Sequence, residues 1–447
     1  MKLDWKKTFL IGFGFFGVSV IWQLYNSFTP IFLQAGNPNF QTSREVLGFG
    51  LNASISGAIM GIDNIAAIFI LPLIGVWSDR IRTPIGRRYP FILTAAPVAA
   101  VAFVLMPFAA SMIDPATSGD VSANTGPFVI FMIGAGLMLL AMAVLRTPII
   151  SLMPDLTPSP LRSKANGVIN LMGGIAVIIA SFGLSRLFDI TPFLPYVSGA
   201  AILILALLVL FITTREPDVN SLPHPEQHEL SEEEQAVSGL RGLRVVPRAY
   251  RRSLVFLLLA IFCWFVAYDG VGTFFTSYAV NVLDVSPGFA PTLFGIAGLT
   301  FILFAIPAGF LGERLGRRLT ISLGLAIFAA LLIVGFFVSN VIVIGVVLGL
   351  GGIGWAMVNI NSLPMVVDTA ADERLLGTYT GMYYLASQTG SALAPLLTGS
   401  VVDLSGGDFR MIFLTGPAFF LLAIICMRFV TRGEPHTQEA AEPAPAR

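Results

Sequence analysis

Charge is scarce in this chain of 447 residues. Asp, Glu, Lys and Arg make up 12% of it, and 26 bases offset 26 acids. A soluble domain carries about 25%. Zero net charge offers no basic face to a nucleic acid, and a chain this apolar does not meet the low-hydrophobicity condition for disorder. Cysteine is nearly absent as well. Cys263 and Cys426 both fall within apolar runs and read as small buried hydrophobes, not as a disulfide or metal pair. The three histidines, His224, His228 and His436, lie in hydrophilic segments.

Long apolar runs are what the chain has. Hydrophobic residues are 55% of it, and the mean hydropathy is +0.82. The runs are continuous, which excludes an outer-membrane barrel with its alternating strands. A spanning helix takes about 20 residues. Twelve runs of that size are expected near 8–33, 52–77, 89–111, 127–152, 165–185, 192–213, 253–281, 289–311, 317–338, 340–366, 376–400 and 410–430. The first follows a basic start, like a signal peptide. It continues to about Phe32 with no small-x-small cleavage site, so it reads as a spanning helix.

Basic residues test the count through the positive-inside rule. With the N-terminus cytosolic, 22 of the 26 fall in cytosolic segments, while Arg44, Arg186 and Arg410 fall outside and Arg146 lies in a span. One missed span would reverse every later loop. The fold class is therefore an all-α integral membrane protein of twelve transmembrane helices in two six-helix bundles, both termini cytosolic. The expected units are residues 1–213, a cytosolic linker at 214–252, a second bundle at 253–432 and a disordered tail at 433–447. Within the linker, Ser231 and Glu234 have capping-box spacing for a short helix.

The halves repeat each other. Gly75, Asp79, Arg80, Gly86, Arg87 and Arg88 follow span 2; Gly309, Glu313, Arg314, Gly316, Arg317 and Arg318 follow span 8. Both read G-x-x-x-[D/E]-R and then G-R-R. Asp155, Arg162 and Gly167 after span 4 match Asp368, Arg374 and Gly381 after span 10. Tyr25-Asn26 on span 1 pairs more weakly with Tyr268-Asp269 on span 7. Six spans per half give both the same orientation, a parallel repeat about the membrane normal.

These loops, with twelve spans and a long middle segment, resemble the major facilitator superfamily. Leu71-Pro72 through Arg80, Gly86 through Ile92, and Leu156 through Gly167 are similar to its sucrose-transporter-like branch and the wider glycoside–pentoside–hexuronide cation symporters. The resemblance implies secondary transport by alternating access and a gating role for the cytosolic loops. In melibiose-type relatives sodium coupling goes with two aspartates on helix 2, and span 2 here has one. Plant-type sucrose carriers place an Arg near where Ile150 stands, so their arginine role is not carried over to Arg146.

The basic loops set topology, but that does not account for a carboxylate just before Arg80 and Arg314. Asp79, Arg80, Arg87, Arg88, Asp155 and Arg162, with Glu313, Arg314, Arg317, Arg318, Asp368 and Arg374, are expected to form charge-assisted networks that gate the cytosolic side.

Three charges fall within the apolar spans: Asp63, Arg146 and Asp269. Each costs at least about 2.5–3.5 kcal/mol there, so they are expected to face an interior cavity. No histidine is available as a relay, so coupling to protons falls to Asp63 or Asp269, with Arg146 as counter-ion. A carboxylate taken out of water holds a proton more readily. The bland alternative is a structural ion pair.

Gln23, Tyr25, Asn26, Asn64, Trp264, Tyr268, Trp355, Asn359, Asn361, Tyr384 and Gln388 offer amides, hydroxyls and aromatic faces with little positive charge. Singly, such residues serve equally well as interhelical glue. Together they suit a neutral polyol, with rings packing on sugar faces. The expectation is a monomeric importer of a neutral sugar in the cell membrane (the cytoplasmic membrane in a bacterium), with the proton as coupling ion, sodium as the alternative, and no cofactor or metal. The rivals are a drug or metabolite exporter of the same fold, a receptor and a membrane enzyme. An enzyme is disfavoured because H-E-x-x-H and an intramembrane His or Cys cluster are absent.

Overall fold

The computed structural model describes residues 4–40, 46–158, 161–216, 246, 248–369 and 376–434. Its twelve long helices are α1 (Trp5–Gln34), α2 (Ala53–Arg80), α3 (Tyr89–Ser111), α4 (Thr125–Leu156), α5 (Arg162–Phe182), α6 (Leu194–Thr213), α7 (Arg248–Val282), α8 (Ala290–Leu315), α9 (Arg317–Phe337), α10 (Val341–Val367), α11 (Leu376–Leu404) and α12 (Ile412–Arg428). Among the described residues, eleven helices are long and apolar enough to cross a membrane. The exception is α11, which carries Thr, Ser and Gln along much of its length.

Local signals set several ends. The Asp4 carboxylate accepts from the Lys7 amide and starts α1, and Asn340 does the same for α10. Prolines open α3, α6 and α8, where a missing N–H costs nothing. Helix also runs beyond the apolar stretches at the cytosolic ends: α2 reaches Arg80, α4 Leu156 and α8 Leu315, and α7 starts at Arg248. A helix satisfies its own backbone, so it need not stop where the hydrocarbon does. These extensions carry Asp79 and Asp155 on helical ends.

The packing repeats as the sequence does. In the first half α1 lies on α5 and α6, and α3 on α4 and α6; in the second, α7 lies on α11 and α12, and α9 on α10 and α12. The halves meet where α2 crosses α11 and where α5 crosses α8. At the first crossing a Cβ on Gly57 would stand 2.2 Å from the Pro395 carbonyl oxygen, and one on Gly61 2.2 Å from that of Ala392. Only glycine permits backbones that close.

The Ser231–Glu234 capping box, most of the 214–252 linker and the tail beyond residue 434 lie outside the described residues, as does Arg374.

Candidate functional site

A cavity of ≈ 790 Å³ lies between the halves, lined mainly from α1, α2, α4, α7, α8 and α11. Asp63, Arg146 and Asp269 all line it. None faces lipid, as the cost of an intramembrane charge requires. The Asn64 amide donates to Asp63 Oδ1 at 3.0 Å. The Asp269 carboxylate accepts from Ser391 Oγ of α11. Asp63 lines the same cavity as Asp269 and Arg146. No ion pair within 4 Å joins Arg146 to either carboxylate among the described residues, so the direct counter-ion contact expected for it is not present in this conformation.

Polar groups surround the three charges. Gln23 and Asn26 of α1 line the cavity beside Phe15, Ser19, Trp22 and Ser27, one face at helical spacing. Gln23 Nε2 donates to Ser27 Oγ at 3.3 Å. Asn64, Tyr268 and Gln388 also reach the cavity. Tyr268 is stacked on Trp355 of α10, with ring centroids 4.0 Å apart and planes 5° from parallel. Phe265 meets Trp355 edge-on at 5.6 Å. Trp355 thus backs two cavity rings without lining the cavity itself.

Other expected ligands sit elsewhere. Tyr25 is fully buried at the flank of the cavity stripe of α1, edge-on to Trp22, because it stands one position off that stripe. Trp264 is likewise fully buried, just short of the α7 face that begins at Phe265. Asn361 donates to the Ala308 and Met357 carbonyls at 3.0 and 2.9 Å, which makes it interhelical glue between α10 and α8. Asn359 is half-buried and Tyr384 packs edge-on to Tyr383; neither lines the cavity.

At the cytosolic face, Arg88 Nη2 lies 2.5 Å from Asp79 Oδ1, and its Nε donates to Asp155 Oδ2 at 3.0 Å. Arg87 Nη2 reaches Asp155 Oδ1 at 2.7 Å and its Nη1 stands 3.6 Å from Asp79. One cluster, its arginines buried and its acids half-buried, therefore ties α2 to α4 through the entry of α3. Arg162 caps α4 instead, donating to the Thr157 and Pro154 carbonyls at 3.3 and 3.2 Å. In the second half Arg317 pairs with Asp368. Arg318 Nη2 donates to the Arg428 carbonyl at 3.0 Å, so it joins α9 to α12 and not to a carboxylate. Arg80, Glu313 and Arg314 are exposed. No ion pair is described for them, which leaves the Asp79 side of the cluster without a counterpart at Glu313.

Two residues of this network were not among the sequence candidates. Glu216 accepts from the amides of Arg87, Arg88 and Tyr89 at 2.7–3.1 Å, capping α3. Glu434 accepts from the Arg317 and Arg318 amides at 2.7 and 2.9 Å, capping α9. The signal was present: Thr214-Arg215-Glu216-Pro217 and Thr431-Arg432-Gly433-Glu434-Pro435 close the two halves with a fourth repeat. Ser391 and Trp22 were also missed; each lies on a helical stripe with a chosen residue, Gln388 and Asn26 respectively.

Twelve helices in two repeated bundles around a charged interior cavity define a membrane transporter. The chain belongs to the Major Facilitator Superfamily, whose family model matches residues 8–303 and 283–447; it is a multi-pass membrane protein. It is 29% identical over 138 residues to the sucrose transport protein SUC3 of Arabidopsis thaliana, covering 29% of this chain and 23% of that protein. It is 24% identical over 256 residues to protein spinster homolog 1 of Xenopus laevis, covering 55% of this chain and 44% of that one. These matches span under half the length of either relative. A solved structure of the nucleoside transporter NupG, in a mutant form, superposes with a TM-score of 0.69 at 15% identity over 95% of this chain and 100% of that chain. At that identity it speaks for the fold alone.

Proposed function

We propose that the protein imports a neutral sugar, an oligosaccharide or a glycoside, by alternating access coupled to protons. The observation that carries this reading is the content of the cavity: one cation, two carboxylates, four amides, several hydroxyls and the rings of Trp22, Phe265 and Tyr268. Amides and hydroxyls match polyol hydroxyls in both directions, since each donates and accepts. Ring faces pack on the apolar faces of a pyranose. One Arg among two acids is poor equipment for a sugar phosphate or another anion. The likeness to a sucrose carrier agrees with this chemistry.

Asp63 and Asp269 are the proton carriers in this account. Both are in the cavity, both are hydrogen-bonded by a neutral donor, and neither is locked to Arg146. A carboxylate fixed in a tight ion pair releases and takes up a proton poorly; one held by an amide or a hydroxyl is free to cycle. The Asp79–Arg88–Asp155 cluster is the cytosolic gate element. It ties the ends of α2, α3 and α4 together in this conformation and loosens when the halves rock, which is how it weights one state over the other.

A second reading has an observation of its own. Ile62, Ala66, Ile70, Leu139 and Leu140 give the cavity an apolar flank, which would suit an exported hydrophobic compound. Uptake of a radiolabelled sugar panel into proteoliposomes, with and without an inward proton gradient, separates the two. Accumulation of one sugar above its external concentration, only when the gradient is present, supports the proposal. No sugar taken up, with gradient-dependent extrusion of a hydrophobic cation, supports the exporter.

A further inference from the structure

Two carboxylates outside the cavity reach from one half of the molecule to the other. Asp403, at the outer end of α11, accepts from the backbone amides of Ala53 and Ser54 at 3.0 and 2.8 Å and from Ser54 Oγ at 2.5 Å. Those groups form the first turn of α2. Asp189, just beyond α5, accepts from Ser286 Oγ at 2.6 Å and from the Gly288 amide at 3.1 Å, in the turn that enters α8. Under the repeat, α5 corresponds to α11 and α2 to α8. Each half thus sends one acid to the start of a helix in the other, at equivalent places.

The first amides of a helix have no partner inside it, and they carry the positive end of its dipole. Asp403 sets its carboxylate against these amides of α2, and Asp189 reaches the Gly288 amide and the Ser286 hydroxyl just ahead of α8, near its positive end, both in charge-assisted hydrogen bonds. Beneath both contacts the helices are tightly apposed. A Cβ on Gly399 would stand 2.3 Å from the Ala53 carbonyl oxygen, and one on Gly295 2.7 Å from Ser181 Cβ. Thr292 Oγ1 adds a bond to the Ser181 carbonyl at 2.9 Å. These bonds are geometrically possible only while the outer ends of the halves touch. At the cytosolic face, by contrast, the Arg87, Arg88 and Arg317 ion pairs each stay within one half.

We propose that Asp189 and Asp403 are a matched pair of outer latches. They favour the state in which the outer face is shut, and they release together when the cavity opens outward. Neither acid lines the cavity, so they act on the conformational balance and not on cargo recognition. The latch rests on alternating access by this fold; it does not depend on the cargo being a sugar or on the coupling ion being a proton.

The test is a distance measurement across the outer face. Spin labels are placed at Met112→Cys at the end of α3 and Phe337→Cys at the end of α9, two exposed sites on opposite halves. Cys263 and Cys426 are replaced by Ser, and the protein is held in lipid nanodiscs. Pulsed electron resonance then reads the label separation for the parent, for Asp189→Asn, for Asp403→Asn and for the double variant. Asparagine keeps the size and one acceptor but loses the charge. The expected result is a longer-distance population whose ratio to the short one rises several-fold in each single variant, and by at least about tenfold in the double. Retained monomeric elution and thermal unfolding show that the variants are folded; if the double does not fold, the singles decide. Unchanged distances in folded single and double variants overturn the proposal, as does a shift toward the short distance.

Discussion

Ser391 of α11 donates a hydrogen bond to the carboxylate of Asp269 on α7, across 122 positions of sequence. The next residue, Ala392, lies against Gly61 of α2, two positions before Asp63. One short segment of α11 therefore touches the surroundings of both intramembrane acids. Since α11 is also one of the helices at which the halves meet, the state of Asp269 is connected to the interface that must move.

Ser391→Ala is expected to leave counterflow exchange of sugar largely intact while lowering gradient-driven accumulation several-fold. Ser391→Thr, which restores the hydroxyl, is expected to recover most of the accumulation. Measuring both activities on the same proteoliposomes distinguishes a coupling role from damage to the fold. Equal loss of both in Ser391→Ala, without recovery in Ser391→Thr, would assign Ser391 a packing role.

Asp79→Asn and Arg88→Ala are expected to slow transport by about tenfold or more, with the affinity for sugar changed much less, because the cluster biases a conformational equilibrium and does not touch cargo. Initial rates over a range of sugar concentrations separate the two parameters. Wild-type rates in both variants would leave these residues only their part in topology.

Gln23→Ala and Asn361→Ala test the division between cavity and glue. Gln23 lines the cavity, so its removal is expected to raise KM. Asn361 holds two carbonyls on adjacent helices, and its removal is expected to cost about 1–3 kcal/mol of stability and lower the thermal unfolding midpoint with KM unchanged. The reverse pattern would reassign both residues.

Much of this architecture could be read from composition. Charge scarcity, run length and the placement of arginines gave twelve spans, with most ends within a few residues of the observed helices. The misses have physical causes. Apolarity reports where hydrocarbon is, not where helix ends, so the cytosolic extensions of α2, α4 and α8 were short. Residue type told which side chains could meet a sugar, but little more than a quarter of a helical turn decides whether they do: Asn26 faces the cavity and Tyr25, one residue earlier, faces the core. The acids of the spans were legible because no other place is affordable for them. Ser391 was not, since a serine satisfies itself on its own helix as readily as on a neighbour. The Glu216 and Glu434 caps were overlooked because each stands at the edge of a hydrophilic stretch, where an acid is unremarkable until a helix start is brought beside it.

Those caps make a comparative prediction. Glu216 accepts from three amides and Glu434 from two. Glu216→Ala is expected to lower the unfolding midpoint in detergent more than Glu434→Ala, each loss being on the order of 1–2 kcal/mol. Parallel melting curves check the order. Identical curves for both variants and the parent would mean that water replaces the carboxylates at no cost.

The central claim is that an intramembrane carboxylate carries the coupling proton. The direct measurement pairs gradient-driven uptake with counterflow in proteoliposomes containing Asp63→Asn, using the sugar identified by the panel. Asparagine keeps hydrogen bonds but cannot cycle a proton. The account predicts that accumulation against the sugar gradient is abolished while counterflow partly survives. Asp269→Asn follows the same pattern if the two acids share the proton, and only weakens binding if Asp269 serves sugar hydroxyls. Sugar still concentrated by both Asp63→Asn and Asp269→Asn under an inward proton gradient would contradict proton coupling through these residues.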